Sequence, residues 1–275
     1  MICTRSTNQT GEQLWLTHSQ ALEFLERIEV TCSDPSVEFL ANICSGIIEH
    51  IPFQNLSMLT GERTRPTKEK ICQDMVSGHG GLCTVRNPFL YNLLTVLGFK
   101  ARYVSSTMGE PDCHISILVD ISGEDWWADV GNGFPYHHPI KLGDFSPVNH
   151  PYMDYRLIEI DNRWHVQHRR QNQEWKTNHH FSSEGVPFSA FDRMHELHYS
   201  VPGWGPFLTG LRVNRWTRQG GMILRDEIAR SPSGEQHFSN PDDVVAWITK
   251  WFVKSGFIET VDVGEAWRKW KEEVE

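Results

Sequence analysis

At 275 residues, with 39% hydrophobic and 22% charged side chains, the chain has the composition of an ordinary globule with room for one large domain or two to three smaller ones. A formal net charge of −9 and a pI near 5.9 exclude the broad basic surface that nucleic acid or an anionic membrane requires, which leaves small molecules or proteins as partners. No stretch approaches the roughly 20 apolar residues of a spanning helix, and MICTRSTNQTGEQ lacks a basic-then-apolar leader, so a cytoplasmic location is expected.

Helical signals come first. Thr17 is a candidate cap for a helix with Leu22, Leu25 and Ile28 at helical spacing, and residues 36–49 carry Phe39, Leu40, Ile43, Ile47 and Ile48 in the same way. IPFQNLSML breaks the pattern at Pro52, and residues 68–75 read as a short helix leading to a glycine-rich loop. After Asn87-Pro88, FLYNLLTVLGF places Leu90, Leu93, Leu94 and Leu97 on one face, with Gly98 as the stop.

Beyond Gly98 the period changes from helical to two. Residues 100–105, 114–121, 126–130, 155–160 and 163–169 are short runs rich in β-branched and aromatic side chains, which predicts an antiparallel sheet or barrel. LTGLRVNRWTRQGGMILRDEI reads as a hairpin across Gly220-Gly221. Residues 240–254 read as an amphipathic helix with Asn240 or Asp242 as cap and Pro241 near its start, and AWRKWKEEVE as a helical tail. The expected class is α+β, in three parts at residues 1–98, 99–205 and 206–275, with boundaries that rest on the change of period alone.

The six cysteines (3, 32, 44, 72, 83 and 113) form no CxxC pair and read as reduced thiols. The histidines, including the doublets 137–138 and 179–180, show no zinc-ligand spacing, so no metal site is expected.

The stretch GHGGLCTVRN raises the question of whether Cys83 is a nucleophile, which needs a base at its sulfur and a third group to orient the base. CHISILVDISGEDWWADVG supplies candidates. A two-residue loop at Ser122-Gly123 makes cross-strand partners sum to 245, setting Asp129 opposite Ser116 and diagonal to His114 on one face. Diagonal neighbours lie roughly 7–8 Å apart, within reach of a carboxylate and an imidazole. An odd loop length would instead turn Asp129 to the face of Ile115 and Ile117. Taken singly, each residue also has a plainer reading: a buried thiol, a hydrogen-bonded strand histidine and a turn aspartate.

HGGLCTVRN resembles the Arg-Gly-Gly-x-Cys-x-Glu-x-Asn signature of the arylamine N-acetyltransferase family. IPFQNLS is similar to that family's Ile-Pro-Phe-Glu-Asn-Leu segment, WWADVGNG to its Val-Asp-Val-Gly-Phe-Gly motif, and DCHISILVD to its histidine strand. Further on, FSSEGVPFSAF resembles the Ser-x-x-Pro-x-Ser-x-Phe segment, and GMILRDE and DDVVAWITKWF sit where the family has its closing hairpin and last helix, with an insertion near residues 192–206. His114 precedes Asp129 by 15 residues, as the family requires.

The resemblance implies a Cys83, His114, Asp129 triad on an N-terminal helical bundle, a central antiparallel β-barrel and a C-terminal α/β lid. It also implies two-step chemistry, in which the cysteine takes an acyl group from acetyl-CoA, another acyl-CoA or an acyl carrier protein thioester and passes it to a small-molecule amine, with no permanently bound cofactor. Phe53, Asn132 and Phe134 are the expected substrate-binding residues. Arg212, Arg215 and Arg218, with Arg225, are the expected phosphate-binding ones, set against the alternative of a solvated hairpin. Trp204 and Phe207 are candidates to line an acyl pocket or to pack in the core.

His79 replaces the signature's Arg, Val85 its Glu, and Asn132 the Phe after Asp-Val-Gly, which alters the scaffold and the pocket wall. Pro88 predicts a kink or a helix that starts only after Asn87, and hence less help from the helix dipole at Cys83; Arg86 is expected either in solvent or facing the sulfur. These departures keep open a biosynthetic amide synthase with a larger or carrier-bound acyl chain, a cysteine hydrolase or transglutaminase-like enzyme, and an inactive binding homologue.

Overall fold

The structure, a computed structural model, describes residues 14–61, 63–259 and 261–274; the N-terminal stretch read for a leader, with Cys3, lies outside these residues. Helix α1 (His18–Arg27) starts in a reciprocal box: Gln20 N donates to Thr17 Oγ1, and Thr17 N donates to Gln20 Oε1. Ser36 caps α2 (Val37–His50) and Thr67 caps α4 (Lys68–Val76). Between them lie a two-residue strand, β1 (Phe53–Gln54), and a short helix, α3 (Leu56–Thr60), inside a segment whose mixed pattern gave neither away.

Helix α5 (Cys83–Val96) corrects the expected late start, because it begins at the cysteine and runs through Pro88. Proline in a helix interior costs about 3 kcal/mol through a missing donor and a clash. Phe89, Leu90, Leu93 and Leu94 are all fully buried, at roughly 1.5–3 kcal/mol each, so tertiary packing outweighs the local preference. The helix is buried on almost every side, as expected for a central helix.

The β part is one antiparallel sheet of β2 (Lys100–Met108), β3 (Glu110–Ile121), β4 (Glu124–Ala128), β5 (Ile140–Lys141), β6 (Asp154–Ile160), β7 (Arg163–Arg169) and β8 (Lys176–Phe181). Their order is β5-β4-β3-β2-β8-β7-β6. An isolated bridge from Val148 to Tyr155 returns the chain after β5 to the β6 edge, so the sheet curls into a nearly closed, barrel-like layer around Val104, Ile117, Trp127, Tyr155 and Val166. Ser122 and Gly123 both have positive φ, 58° and 83°, the two-residue turn whose twist suits a hairpin. Ile117 therefore faces Ala128 and Asp120 faces Asp125, the even register that puts His114 and Asp129 on one face.

A short 3-10 turn (Phe188–Phe191) leads into α6 (Asp192–Ser200), so the first nine residues of the stretch read as an insertion are helical. A second sheet joins β1 to β9 (Arg212–Thr217), β10 (Gly220–Arg225), β11 (Ile228–Ser231) and β12 (Gly234–His237). The β9–β10 turn falls at Arg218-Gln219 and not across the glycines, since Thr217 pairs with Gly220. Gly221 lies opposite Trp216, where a Cβ would come within 2.3 Å of the indole. Asn240 caps α7 (Pro241–Trp251), and α8 (Val263–Val274) closes the described chain against it. Among the described residues no helix is long and apolar enough to cross a membrane.

Candidate active site

The glycine loop before α5 is woven into the IPF segment. Gly81 N donates to Pro52 O and Gln54 N to Gly81 O, both at 3.3 Å. A Cβ at Gly80, where φ is 71°, would lie 1.9 Å from Pro52 O, so the close approach requires glycine. The loop delivers Cys83 as the first residue of α5, where first-turn N–H groups have no intrahelical acceptor and the helix dipole favours negative charge. The expected loss of dipole support is thereby corrected.

His114 on β3 and Asp129, just past β4, meet at 2.5 Å through Nε2 and Oδ2. Cys83 lies by the same ring and favours its protonated form, and Nδ1 is the nitrogen not taken by Asp129. Burial alone would push the His114 pKa down, but the charge and hydrogen bond of Asp129, with Cys83, hold it well above the ordinary imidazole value. Burial would raise Asp129, and His114 outweighs it and keeps the carboxyl below its usual range. Both shifts describe one ion pair, shielded from water.

Asn87 lies inside α5 and not at its start. Its Nδ2 donates to Asp129 Oδ1 at 2.8 Å and to Ile115 O at 2.5 Å, and its Oδ1 accepts from Val130 N at 3.0 Å. It thus ties the helix of the nucleophile to both strands that carry the rest of the triad. Asp129 Oδ1 also accepts from Gly131 N, and a Cβ at Gly131 would sit 2.7 Å from Cys83 Cα.

Arg86 is neither in solvent nor turned to the sulfur. It is buried, donating to Val130 O through Nε and to Ile51 O through an Nη, and burial lowers its pKa to about 9 against the pull of Asp129. With Gln54 donating to His79 O, Arg86 and Asn87 supply the scaffold contacts around the two positions where the signature's charges are absent. Val85 instead packs on Gly81, where a Cβ would meet its own at 2.9 Å.

The triad opens on a cavity of about 640 Å³ lined by Cys83, His114, Phe53, Asn132 and Phe134. All three expected substrate-binding residues therefore face it. Trp204 and Phe207 line its wall, held by Asn55, whose Nδ2 donates to the carbonyls of Phe207 and Gly210 at 2.6 Å each. The three phosphate candidates separate. Strand alternation turns Arg212, Asn214 and Trp216 inward with Ile223 and Arg225, whereas Arg215 points the other way, bonded to Trp251 O. Arg218 sits in the turn, 3.6 Å from Glu49. Arg212 is itself paired with Asp226. The exposed cationic side chains on the cavity wall are Arg170, Arg225 and Arg230, the last paired with Glu235 at 2.7 Å. A larger cleft of about 870 Å³ runs on the other side of the glycine loop past Arg65, Lys70 and Tyr199, without His114.

His114, Asp129 and His179 offer ligand atoms within 4.8 Å of one another. Two ligands of one tetrahedral zinc, at about 2.0–2.1 Å from the ion, stand roughly 3.3 Å apart, so the 2.5 Å His114–Asp129 contact is a hydrogen bond and not a preformed metal cradle.

Residues 36–250 match the family model described as N-acetyltransferase. The chain is 31% identical over 163 residues to the arylamine N-acetyltransferase 2 of Mus musculus, covering 54% of this chain and 56% of that protein. It is 25% identical over 187 residues to YvcN, an uncharacterized acetyltransferase of Bacillus subtilis, covering 64% of this chain and 73% of the relative. Its aligned part thus spans about half the length of the arylamine relative. The arylamine N-acetyltransferase of Mycobacterium marinum superimposes with a TM-score of 0.80 at 19% identity, over 93% of this chain and all of that one (100%). The same enzyme solved in complex with CoA matches equally well, at 0.80. The signature around Cys83, the even register of the histidine hairpin and the match over most of the chain agree: this chain belongs to the arylamine N-acetyltransferase family.

Proposed function

We propose that the protein is an N-acyltransferase that carries an acyl group on Cys83 from a thioester donor to a small-molecule amine. The observation that carries this reading is the buried His114–Asp129 hydrogen bond beside Cys83, with Cys83 and His114 lining one cavity. His114 takes the thiol proton as sulfur attacks the thioester carbonyl, and returns it to the leaving thiol. The amine then attacks the acyl-sulfur carbon, loses a proton to His114 and releases the cysteine as a thiol. Asp129 holds the ring and offsets the imidazolium charge. The N–H of Cys83, at the start of α5, is the candidate donor to the oxyanion.

For the donor, acyl-CoA is the favoured class, with Arg170 and Arg225 in the role first assigned to Arg212, Arg215 and Arg218 together with Arg225. A carrier-bound acyl chain is the second donor class, and the reaction is placed in the cytoplasm.

The test is release of free thiol from acetyl-CoA, longer acyl-CoA and a carrier-protein thioester, each with and without an amine. Amine-dependent release supports transfer. Equal release without amine identifies a hydrolase instead.

A further inference from the structure

Beside the triad lies a second histidine that acyl transfer does not use. His179, on β8, is fully buried, its ring edge-on to His114 at 5.0 Å between centroids. Its Nε2 stands 3.9 Å from Asp129 Oδ2 and has no hydrogen-bond partner. On the other side, Nδ1 lies 2.7 Å from Asn178 Oδ1, which also accepts from Asn132 Nδ2 at 3.1 Å. Asn132 is on the cavity wall, and its own Oδ1 is likewise buried without a partner.

The bare His179 Nε2 has an explanation in how the neighbouring amides are turned. With the Asn178 oxygen turned to His179, the ring proton sits on Nδ1 and a bare Nε2 lone pair faces a carboxylate, an unfavourable contact in a buried site. Turning over the Asn178 and Asn132 amides exchanges donors for acceptors without moving heavy-atom positions. Asn178 Nδ2 then donates both to Asn132 and to His179 Nδ1, and the ring proton moves to Nε2, toward Asp129.

We propose that His179 is a positioning residue of the triad, holding its proton on Nε2 toward Asp129, and that Asn178, tied to Asn132 on the cavity wall, fixes that tautomer. The inference rests on the triad reading above. The groups facing the ring are His114 on β3, Asp129 beyond β4, His168 on β7 and the adjacent His180. Burial first, then His114, push the ring well below its ordinary pKa against the pull of Asp129, so it acts as a neutral donor and not as a second cation. Its N–H dipole faces, at 3.9 Å and without a hydrogen bond, the Asp129 oxygen that grips His114, and its ring lies edge-on to the base.

The test follows alkylation of Cys83 by iodoacetamide against pH, read on the Cys83 peptide, in wild type, His179→Leu and His179→Gln. Alongside it, the His179 tautomer is read from nitrogen-15 NMR of histidine-labelled protein, assigned by the signal lost in His179→Gln. We expect the Nε2–H tautomer, a midpoint lowered on the order of half a pH unit in His179→Leu, because Asp129 without that donor holds the His114 imidazolium more strongly, and return toward wild type in His179→Gln, which keeps an N–H donor. A change in folding alone would alter the amount of reactive protein and not the midpoint. An Nδ1–H tautomer, or an unmoved midpoint in His179→Leu, overturns the proposal; if the Leu variant does not fold, the tautomer alone decides. Alkylation needs no acyl donor, so failure of the wild type to take an acyl group counts against the proposed function and not against this readout.

Discussion

Asn87 and Asp129 share a hydrogen bond of 2.8 Å that joins the helix of the nucleophile to the acid of the triad, while the same Asn87 side chain receives Val130 N. Replacing Asn87 by Ala leaves the Asp129 oxygen, Ile115 O and Val130 N short of a partner in a buried site. A buried group left unsatisfied costs about 1–3 kcal/mol, so Asn87→Ala should lower the thermal midpoint clearly and slow Cys83 alkylation. Melting and alkylation unchanged from wild type would show that the bond is dispensable.

Asp129→Asn tests the orientation of the base. The amide fits the same space but presents a donor or a neutral oxygen to His114 Nε2, so the wrong ring nitrogen is protonated. Single-turnover acyl transfer should fall on the order of 10³- to 10⁴-fold with the fold intact. A loss below tenfold would place the base elsewhere.

Stability should fall on the acid side of neutrality. Burial lowers the pKa of His137 and His195 to about 3 and of His198 to about 4, from an ordinary value of 6.5. As pH drops below 6.5 the unfolded chain takes up protons that the folded one refuses, so stability declines steadily down to about pH 4. At pH 5 each buried ring costs about 2 kcal/mol, because one pKa unit is about 1.4 kcal/mol. His114 works in the opposite sense: its raised pKa adds stability below 6.5 that is lost as pH rises through the folded value. Thermal melts from pH 7 to 5 check the sum; a flat profile would contradict it.

The arginines give a fourth test. Arg225→Ala and Arg170→Ala remove cations from the cavity wall, and each should raise KM for acetyl-CoA about three- to tenfold while leaving a short thioester without phosphates unaffected. Arg215→Ala, on the far face of β9, should not discriminate between the two donors. A donor-specific effect at Arg215 and none at Arg225 would reverse the assignment.

Much of this site is legible in the sequence, because its geometry follows from short-range rules. A two-residue loop at Ser122-Gly123 fixes an even register, and that alone brings His114 and Asp129 to one face. The same period of two, applied to β9, separates Arg212 from Arg215, and the arginine cluster read without it merged two faces. Pro88 misled for a different reason: local propensity argued for a late helix start, and burial of the α5 core prevailed. β8, with its polar run KTNHHF, carries almost no β signal, so His179 was invisible as a neighbour of the triad. Asn87 and Asn55 act through contacts 42 and 155 residues away in sequence, which no local pattern encodes.

Cys83 is proposed as the acyl carrier. The most direct test is the intact mass of the wild-type protein and of Cys83→Ala after brief exposure to acetyl-CoA and longer acyl thioesters. A single acyl increment is expected on the wild type, mapped to the Cys83 peptide, discharged by an amine and absent from the variant. No increment from any donor, or an increment that persists in Cys83→Ala, would contradict it.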